Sequence, residues 1–248
     1  MTDPAGRAVR LHINIDHVAT LRNARGTLYP DPARGAEECL AAGADGITAH
    51  LREDRRHIQD GDIHRLSAVC ALARSTFNLE MAATDEMVGI ALHVEPDVCT
   101  LVPERREERT TEGGLDVAAG GAGLARRVAA LVAGGIKVSL FIAADPEMID
   151  RARALGATQV ELHTGEYAHE RPGELARLAA GAKRAHALGL EVAAGHGLTL
   201  SNVPALVALP PIVELNIGHA VVSDAVFMGL GAAVRAYRDA IALGLRSR

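Results

Sequence analysis

Short apolar runs rich in β-branched residues alternate along this chain with longer stretches that carry apolar residues at helical spacing. Read with its Gly and Pro punctuation, that alternation predicts strands over 10–16, 45–50, 76–81, 97–102, 136–142, 158–163, 190–195 and 212–217. The Ala-, Leu- and Arg-rich stretches between them predict helices, among them 122–134, 145–156, 172–189 and 223–243. Asp145 followed by Pro146 reads as an N-cap with Pro at the first helical position, and Gly135, Gly156 and Gly189 fall where helices should stop. Strands alternating with helices in this way imply an α/β fold with a parallel sheet, either a closed barrel or a doubly wound sheet.

A weak repeat separates these two. Gly43 to His50, Gly156 to His163 and Gly189 to His196 share one plan: a helix-stopping Gly, a short strand, and a His seven positions after the Gly. A closed barrel gathers such histidines around one mouth, whereas an open sheet spreads them along an edge. The repeat therefore favours a (β/α)₈ barrel, and the length of 248 residues suits one such domain. Within the strands, period-two alternation puts Asn14 and Asp16 on one face, then Asn78 and Glu80, then Glu161 and His163, then Glu214, Asn216 and Gly218. The apolar residues between them face the helices, which leaves polar groups pointing into the barrel. Buried polar groups are costly unless paired, so either a satisfied internal network or a functional site accounts for them.

Composition narrows the field. Hydrophobic residues make up 48% of the chain but aromatic residues only 2%, so the core is built from Ala, Val, Leu and Ile. The formal net charge is -5, with no long basic block, which argues against nucleic-acid binding. There is no apolar run of membrane-spanning length and no signal peptide, so a cytoplasmic protein is expected. Cys39, Cys70 and Cys99 are widely spaced, form no CxxC motif, and read as buried thiols of a reducing compartment. Two charged loops, 51–62 and 103–116, exceed what a connection needs and read as solvated surface or as lids over the barrel mouth.

Catalysis on a barrel sits at the C-terminal ends of its strands. His50, His163 and His196, with Asp16, Glu80 and Glu161, supply candidate acids and bases there, and imidazole titrates in the range that general acid–base work needs. A metal site from the three histidines stays open as an alternative, while His12 and His17 lie on opposite strand faces and make a poor ligand pair. The only lysines are Lys137, at the start of a strand, and Lys183, within a helix, so an enzyme-bound imine is not expected. The Gly-rich segments 194–198 and 216–220 follow the seventh and eighth strands, where barrels frequently bind phosphate. Arg22, Arg25, Arg52, Arg55 and Arg56 follow the first two strands, either solvated or holding a second phosphate.

Several longer motifs then carry a resemblance. Residues 14–26 (NIDHVATLRNARG), 29–32 (YPDP) and 43–58 (GADGITAHLREDRRHI) are of this kind. So are 78–81 (NLEM), 101–104 (LVPE), 110–116 (TTEGGLD), 138–142 (VSLFI), 194–197 (AGHG) and 214–219 (ELNIGH). Together they closely resemble the pyridoxine 5′-phosphate synthase family, from about residue 11 to the last helix. The resemblance implies a (β/α)₈ TIM barrel with additional helices, and a transferase activity. That activity is ring-closing condensation of 1-deoxy-D-xylulose 5-phosphate with 3-amino-2-oxopropyl phosphate to pyridoxine 5′-phosphate, phosphate and water. It implies no metal, no organic cofactor, and a homo-octamer built from dimers. His50 and Glu80 would be general bases, His196 a general acid and Glu161 a transition-state stabiliser. Asn14, Arg25, Gly197, Gly218 and His219 would hold the aminoketone phosphate. Asp16, His17, Arg52, His57 and Thr110 would hold the deoxyxylulose phosphate. Residues 1–9 read as an unstructured extension. Two other readings of the same barrel are a metal-dependent hydrolase and a non-catalytic phosphosugar-binding protein.

Overall fold

The computed structural model describes residues 9–108, 110 and 113–248. The strands are β1 (Arg10–Asn14), β2 (Gly46–Leu51), β3 (Thr76–Met81), β4 (Val98–Leu101), β5 (Lys137–Ile142), β6 (Gln159–His163), β7 (Glu191–Gly195) and β8 (Ile212–Ile217). All pair in parallel with their sequence neighbours, and β1 pairs with β8 to close the barrel. The fold is a (β/α)₈ barrel. Its helices are α1 (Asp16–Asn23), α2 (Pro32–Ala41), α3 (Asp60–Ala73), α4 (Asp85–Val94), α5 (Val117–Ala133), α6 (Pro146–Ala154), α7 (Gly165–Ala168), α8 (Glu174–Ala187), α9 (Val203–Val207), α10 (His219–Met228) and α11 (Leu230–Leu245). A barrel of this class needs one helix per strand, so the set described here includes the additional helices.

Local chemistry sets the ends of these elements. The Asp145 carboxylate accepts from the N–H groups of Glu147 and Met148 and caps α6, with Pro146 at its first position. Gly43, Gly135, Gly156 and Gly189 all have positive φ one residue past a helix C-cap. In each case the next residue donates back five positions into the helix, as in Ala157 N to Ala152 O at 3.2 Å, the bond of a Schellman motif. Several boundaries differ from the sequence reading: α5 starts at Val117 rather than at 122, with a kink at Gly121 (φ 50, ψ -147), and two further differences change the course of the chain. The stretch read as one helix over 223–243 is broken at Gly229 (φ 83, ψ 150) into α10 and α11, because helical periodicity continues across a residue whose backbone does not. Strand β1 ends at Asn14, not at 16: Ile15 (φ -94, ψ 2) turns the chain, and Asp16 opens α1. Most of the expected N-terminal extension lies outside the described residues. Val9, assigned to it, is instead buried in the core, where an apolar side chain entering β1 packs.

The core lies between barrel and helices, and is built from residues such as Ile13, Ile47, Leu79, Leu140 and Leu162, all fully buried. The barrel interior differs from the branched apolar filling usual for this architecture. Thr48, Asn78, Thr100, Glu161 and Asn216 are buried there as a connected chain of hydrogen bonds. Thr100 Oγ1 donates to Asn78 Oδ1 (2.8 Å), Asn78 Nδ2 to Thr48 Oγ1 (3.3 Å), Thr48 Oγ1 to Asn216 Oδ1 (2.8 Å), and Asn216 Nδ2 to Glu161 Oε2 (2.7 Å). A second layer at the N-terminal end joins Gln159 and Arg10 to Glu214. Each bond satisfies a group whose burial alone would be unfavourable, and together they fix the interior geometry.

Candidate active site

A cavity of about 620 Å³ opens at the C-terminal end of the barrel. Of the residues singled out from sequence, Asn14, Asp16, His17, His50, Arg52, Glu80, Glu161, His196, Gly197, Gly218 and His219 all line it. Strand pairing sets His50 opposite Glu80, and His163 opposite Gly195. The barrel thus brings β2, β3, β6 and the end of β7 to one mouth. His196 follows β7 in a left-handed conformation (φ 82), with Gly197 beside it (φ 77). A left-handed histidine is uncommon, and here it turns the chain sharply away from the strand.

One side of the cavity is a cluster of ionisable groups. Asp16, His50 and Glu80 each offer an atom within 4.8 Å of the others. Asn14 ties them together: its amide donates to Asp16 Oδ2 (3.0 Å) and Glu80 Oε2 (3.3 Å), while its Oδ1 accepts from the Asp16 N–H. Asp16 Oδ1 accepts from the backbone N–H of His50 (2.9 Å), so leaving the strand for α1 does not remove Asp16 from the site. His50 Nε2 lies 2.9 Å from Glu104 Oε1.

This arrangement shifts proton affinities. Burial raises the Glu80 carboxyl, the nearby His50 opposes that and Asp16 adds to it, and the result is about 7. Asp16 is also raised, chiefly by burial, against the pull of His50. Glu161 is raised well above the ordinary carboxyl range by burial, with Glu80 and Glu214 adding to it against the Asn216 amide. Burial works against the charge on His50, yet the bond to Glu104 and the neighbouring Glu80 and Asp16 outweigh it and raise its pKa. A carboxyl that titrates near neutrality beside a histidine stabilised as its cation is a pair able to pass protons in both directions. The same three atoms are also spaced to meet around a divalent cation. Both Asp16 oxygens and His50 Nε2 hold protein hydrogen bonds, so the ring nitrogen of His50 that remains for any ligand is Nδ1.

The rest of the wall is aromatic and glycine-rich. The His163 and His196 rings stack at 4.8 Å, and Phe141 meets His163 edge-on at 5.2 Å. His163, placed level with His50 and His196 by the repeat, thus stands against His196. Gly195 approaches Glu161 so closely that a side chain there would overlap its carboxylate. A Cβ on Gly218 would lie 2.8 Å from the Asn14 side chain. Gly218 also precedes α10, whose first N–H groups have no partner within the helix and form a ready anion site. Nearby, His17 meets His219 edge-on at 5.1 Å and His57 at 5.9 Å. Burial lowers the pKa of both His17 and His57, which favours the neutral form of these two rings.

Three expected residues do not line the cavity. His57 stands behind His17, with its Nδ1 3.0 Å from Thr20 Oγ1. Thr110 lies in the loop after β4, its buried hydroxyl without a partner among the described residues; residues 111 and 112 of its motif lie outside them. Arg25 is exposed. The other arginines after β1 and β2 divide. Arg22 is buried in a bidentate pair with Asp62 (2.7 and 2.8 Å), Arg55 pairs with Glu86, and Arg56 and Arg52 both pair with Asp54; of these, Arg52 is the one that lines the cavity. Lys137 pairs with Glu191 at the far end of the barrel, and Lys183 lies in α8. Glu104, known from sequence only as part of the 101–104 motif, is the functional-site residue that motif reading left without a role. Its place three residues beyond β4 was the available signal.

Comparison with known proteins shows the family. The profile of the family described as "Pyridoxal phosphate biosynthesis protein PdxJ" matches residues 11–243. The chain is 57% identical over 246 residues to pyridoxine 5′-phosphate synthase of Xanthobacter autotrophicus, covering 96% of this chain and 95% of that one. It is 54% identical to the synthase of Gluconobacter oxydans, covering 94% of this chain and 99% of that one. In fold it is similar to thiamine phosphate pyrophosphorylase from Pyrococcus furiosus (TM-score 0.64, 17% identity, covering 96% and 97%) and to 3-hexulose-6-phosphate synthase (TM-score 0.62, 19% identity, covering 93% and 99%). The near-complete profile match and these identities across almost the full length carry one conclusion: the chain belongs to the PdxJ family of pyridoxal phosphate biosynthesis proteins.

Proposed function

We propose that this protein is a pyridoxine 5′-phosphate synthase. It condenses 1-deoxy-D-xylulose 5-phosphate with 3-amino-2-oxopropyl phosphate and releases phosphate and water. The observation that carries the reading is the placement of Glu80 opposite His50, with Asp16 beside them, on one face of the cavity, where burial raises the Glu80 carboxyl to about 7 and Glu104 raises the pKa of His50. Imine formation, loss of phosphate, ring closure and aromatisation each move protons, and a neutral-range acid–base pair serves all of them. The substrate's own amine forms the imine, in keeping with the position of both lysines away from the cavity. His50 and Glu80 act as bases and His196 as the acid. Glu161, buried and anchored by Asn216, stabilises charge that develops in the transition state. Asn14, Gly197, Gly218 and His219, with the start of α10, hold the aminoketone phosphate. Asp16, His17 and Arg52, backed by His57, hold the second substrate. Arg25 and Thr110 join these sets through the family resemblance. The exposed Leu28, Tyr29 and Phe227 support assembly into the octamer of dimers that the family resemblance implies. The same resemblance supports a cytoplasmic location. Among the described residues no helix is long and apolar enough to cross a membrane.

The test is an assay of chelator-treated protein with both substrates, with pyridoxine 5′-phosphate as the readout. Product formation at full rate supports the synthase. Stoichiometric zinc in the purified protein, with no pyridoxine 5′-phosphate formed, would favour the metal-dependent hydrolase, for which the spacing of Asp16, His50 and Glu80 is the specific observation; full activity in chelator excludes it. Phosphosugar binding without turnover, unaffected by His50→Ala, would favour the non-catalytic barrel. Folded protein that makes no product would sink the proposal.

A further inference from the structure

Glu104 is nearly buried, its side chain 4% exposed, and it reaches back from the loop after β4 to the mouth of β2. One carboxylate oxygen is 2.9 Å from His50 Nε2, and the other accepts from the backbone N–H of Glu53 (3.0 Å). Glu53 follows Arg52, so a single carboxylate grips both the proton-handling histidine and the segment carrying the cavity arginine. The loop that presents Glu104 is itself held. Glu108 Oε2 accepts from the N–H groups of Glu104 (2.8 Å) and Arg105 (3.0 Å), and Val102 N donates to Met81 O (3.0 Å). Burial opposes the charge on Glu104, but the bonds from His50 and Glu53 overcome it and keep the carboxyl below its ordinary value. An ionised carboxylate only accepts hydrogen bonds, so Nε2 of His50 is the nitrogen that bears the proton.

We propose that Glu104 is a positioning residue for His50: it fixes the proton on Nε2, locks the ring, and leaves Nδ1 as the nitrogen that exchanges protons in the cavity. This rests on the synthase reading for the reaction that Nδ1 serves, but the contact and the tautomer stand independently of it. A base held by a third group is the general logic of an activated acid–base pair. The contact also links two loops, so His50 is in register only when the segments after β2 and β4 are both in place.

The charged and titratable groups that act on His50 are Glu104 from the loop after β4, Glu80 from β3 and Asp16 from α1, and Arg52 beyond β2 acts on Glu104. Glu104→Gln removes one negative charge and keeps the shape. In the intact assembled protein it is expected to lower kcat by about 10²-fold with KM within about threefold. The limb of the pH–rate profile that reports His50 should move to lower pH. ¹⁵N spectra of histidine-labelled protein, with His50 identified by its loss in His50→Gln, should show Nε2–H in the wild type and a lowered His50 titration in Glu104→Gln. Glu104→Asp should recover part of kcat. An unmoved His50 titration in Glu104→Gln overturns the proposal whatever happens to kcat, because a merely structural glutamate would leave it unmoved. A wild-type His50 protonated on Nδ1 overturns it as well. Wild-type protein that makes no pyridoxine phosphate yet shows the shifted titration would retire the synthase reading and leave this assignment standing.

Discussion

Glu80 shows how one buried group serves function at a cost to stability. Its pKa is raised from 4.5 to about 7, mainly by burial. Between those values the folded protein holds a proton that the unfolded chain has released. The group's contribution to stability therefore falls as pH rises from about 4.5 to about 7 and stays low above that. Glu80→Gln cannot ionise and escapes this loss, while its amide oxygen still accepts from Asn14. Thermal unfolding should find the variant more stable than wild type at pH 8, at about 2–4 °C per kcal/mol gained, and equal to it near pH 4. Turnover should fall by about 10²-fold or more. A variant no more stable at pH 8 than at pH 4, relative to wild type, would contradict the assigned shift. The sequence shows Glu80 as a strand-end carboxylate sharing a face with Asn78. Its neighbours Asp16 and His50, which set its proton affinity, are distant along the chain and were not readable as partners.

The ends of elements are the most local part of the fold. Gly156 adopts φ 94 where α6 stops, and nothing lies within 4 Å of the position a Cβ would take. Gly156→Ala therefore tests backbone strain alone. It should destabilise the protein by about 1–2 kcal/mol and leave kcat unchanged, as measured by denaturant unfolding and steady-state kinetics. Helix starts at Asp145 and stops at Gly135, Gly156 and Gly189 were legible because capping depends on residues within one turn. The break at Gly229 was not, since apolar periodicity persists through it. The end of β1 was missed for a related reason: alternation continues through Asp16 although the backbone has already turned at Ile15.

Across the whole molecule, the decisive contacts join parts far apart in sequence. Arg22 and Asp62 form a buried bidentate pair between α1 and α3, and Arg22 also donates to His57 O (3.2 Å). Asp62 accepts in turn from Gln59 N (2.9 Å) at the start of α3. The pair thus pins the segment that carries Arg52 and His57 against the first helix. Asp62→Ala leaves a buried guanidinium uncompensated and should cost about 3–5 kcal/mol. It should also raise KM for the substrate held by Arg52, read from urea unfolding and from kinetics; an unchanged KM would separate the pair from the site.

By itself the sequence determined the order of strands and helices, the polar-inward alternation, and the strand-end residues that mark the cavity. Each of these depends on neighbours within a few positions or on side-chain period alone. It also carried the family motifs, whose order along the chain needs no coordinates. Only the tertiary structure decided that Arg22 is a structural cation and Arg52 a cavity one, because burial depends on packing across elements. It paired His163 with His196, through the lateral register of β6 and β7. It also gave Glu104 a role, through a 2.9 Å contact between residues fifty-four positions apart. Barrel closure brings such residues together, and proton affinity follows from the resulting burial and charge.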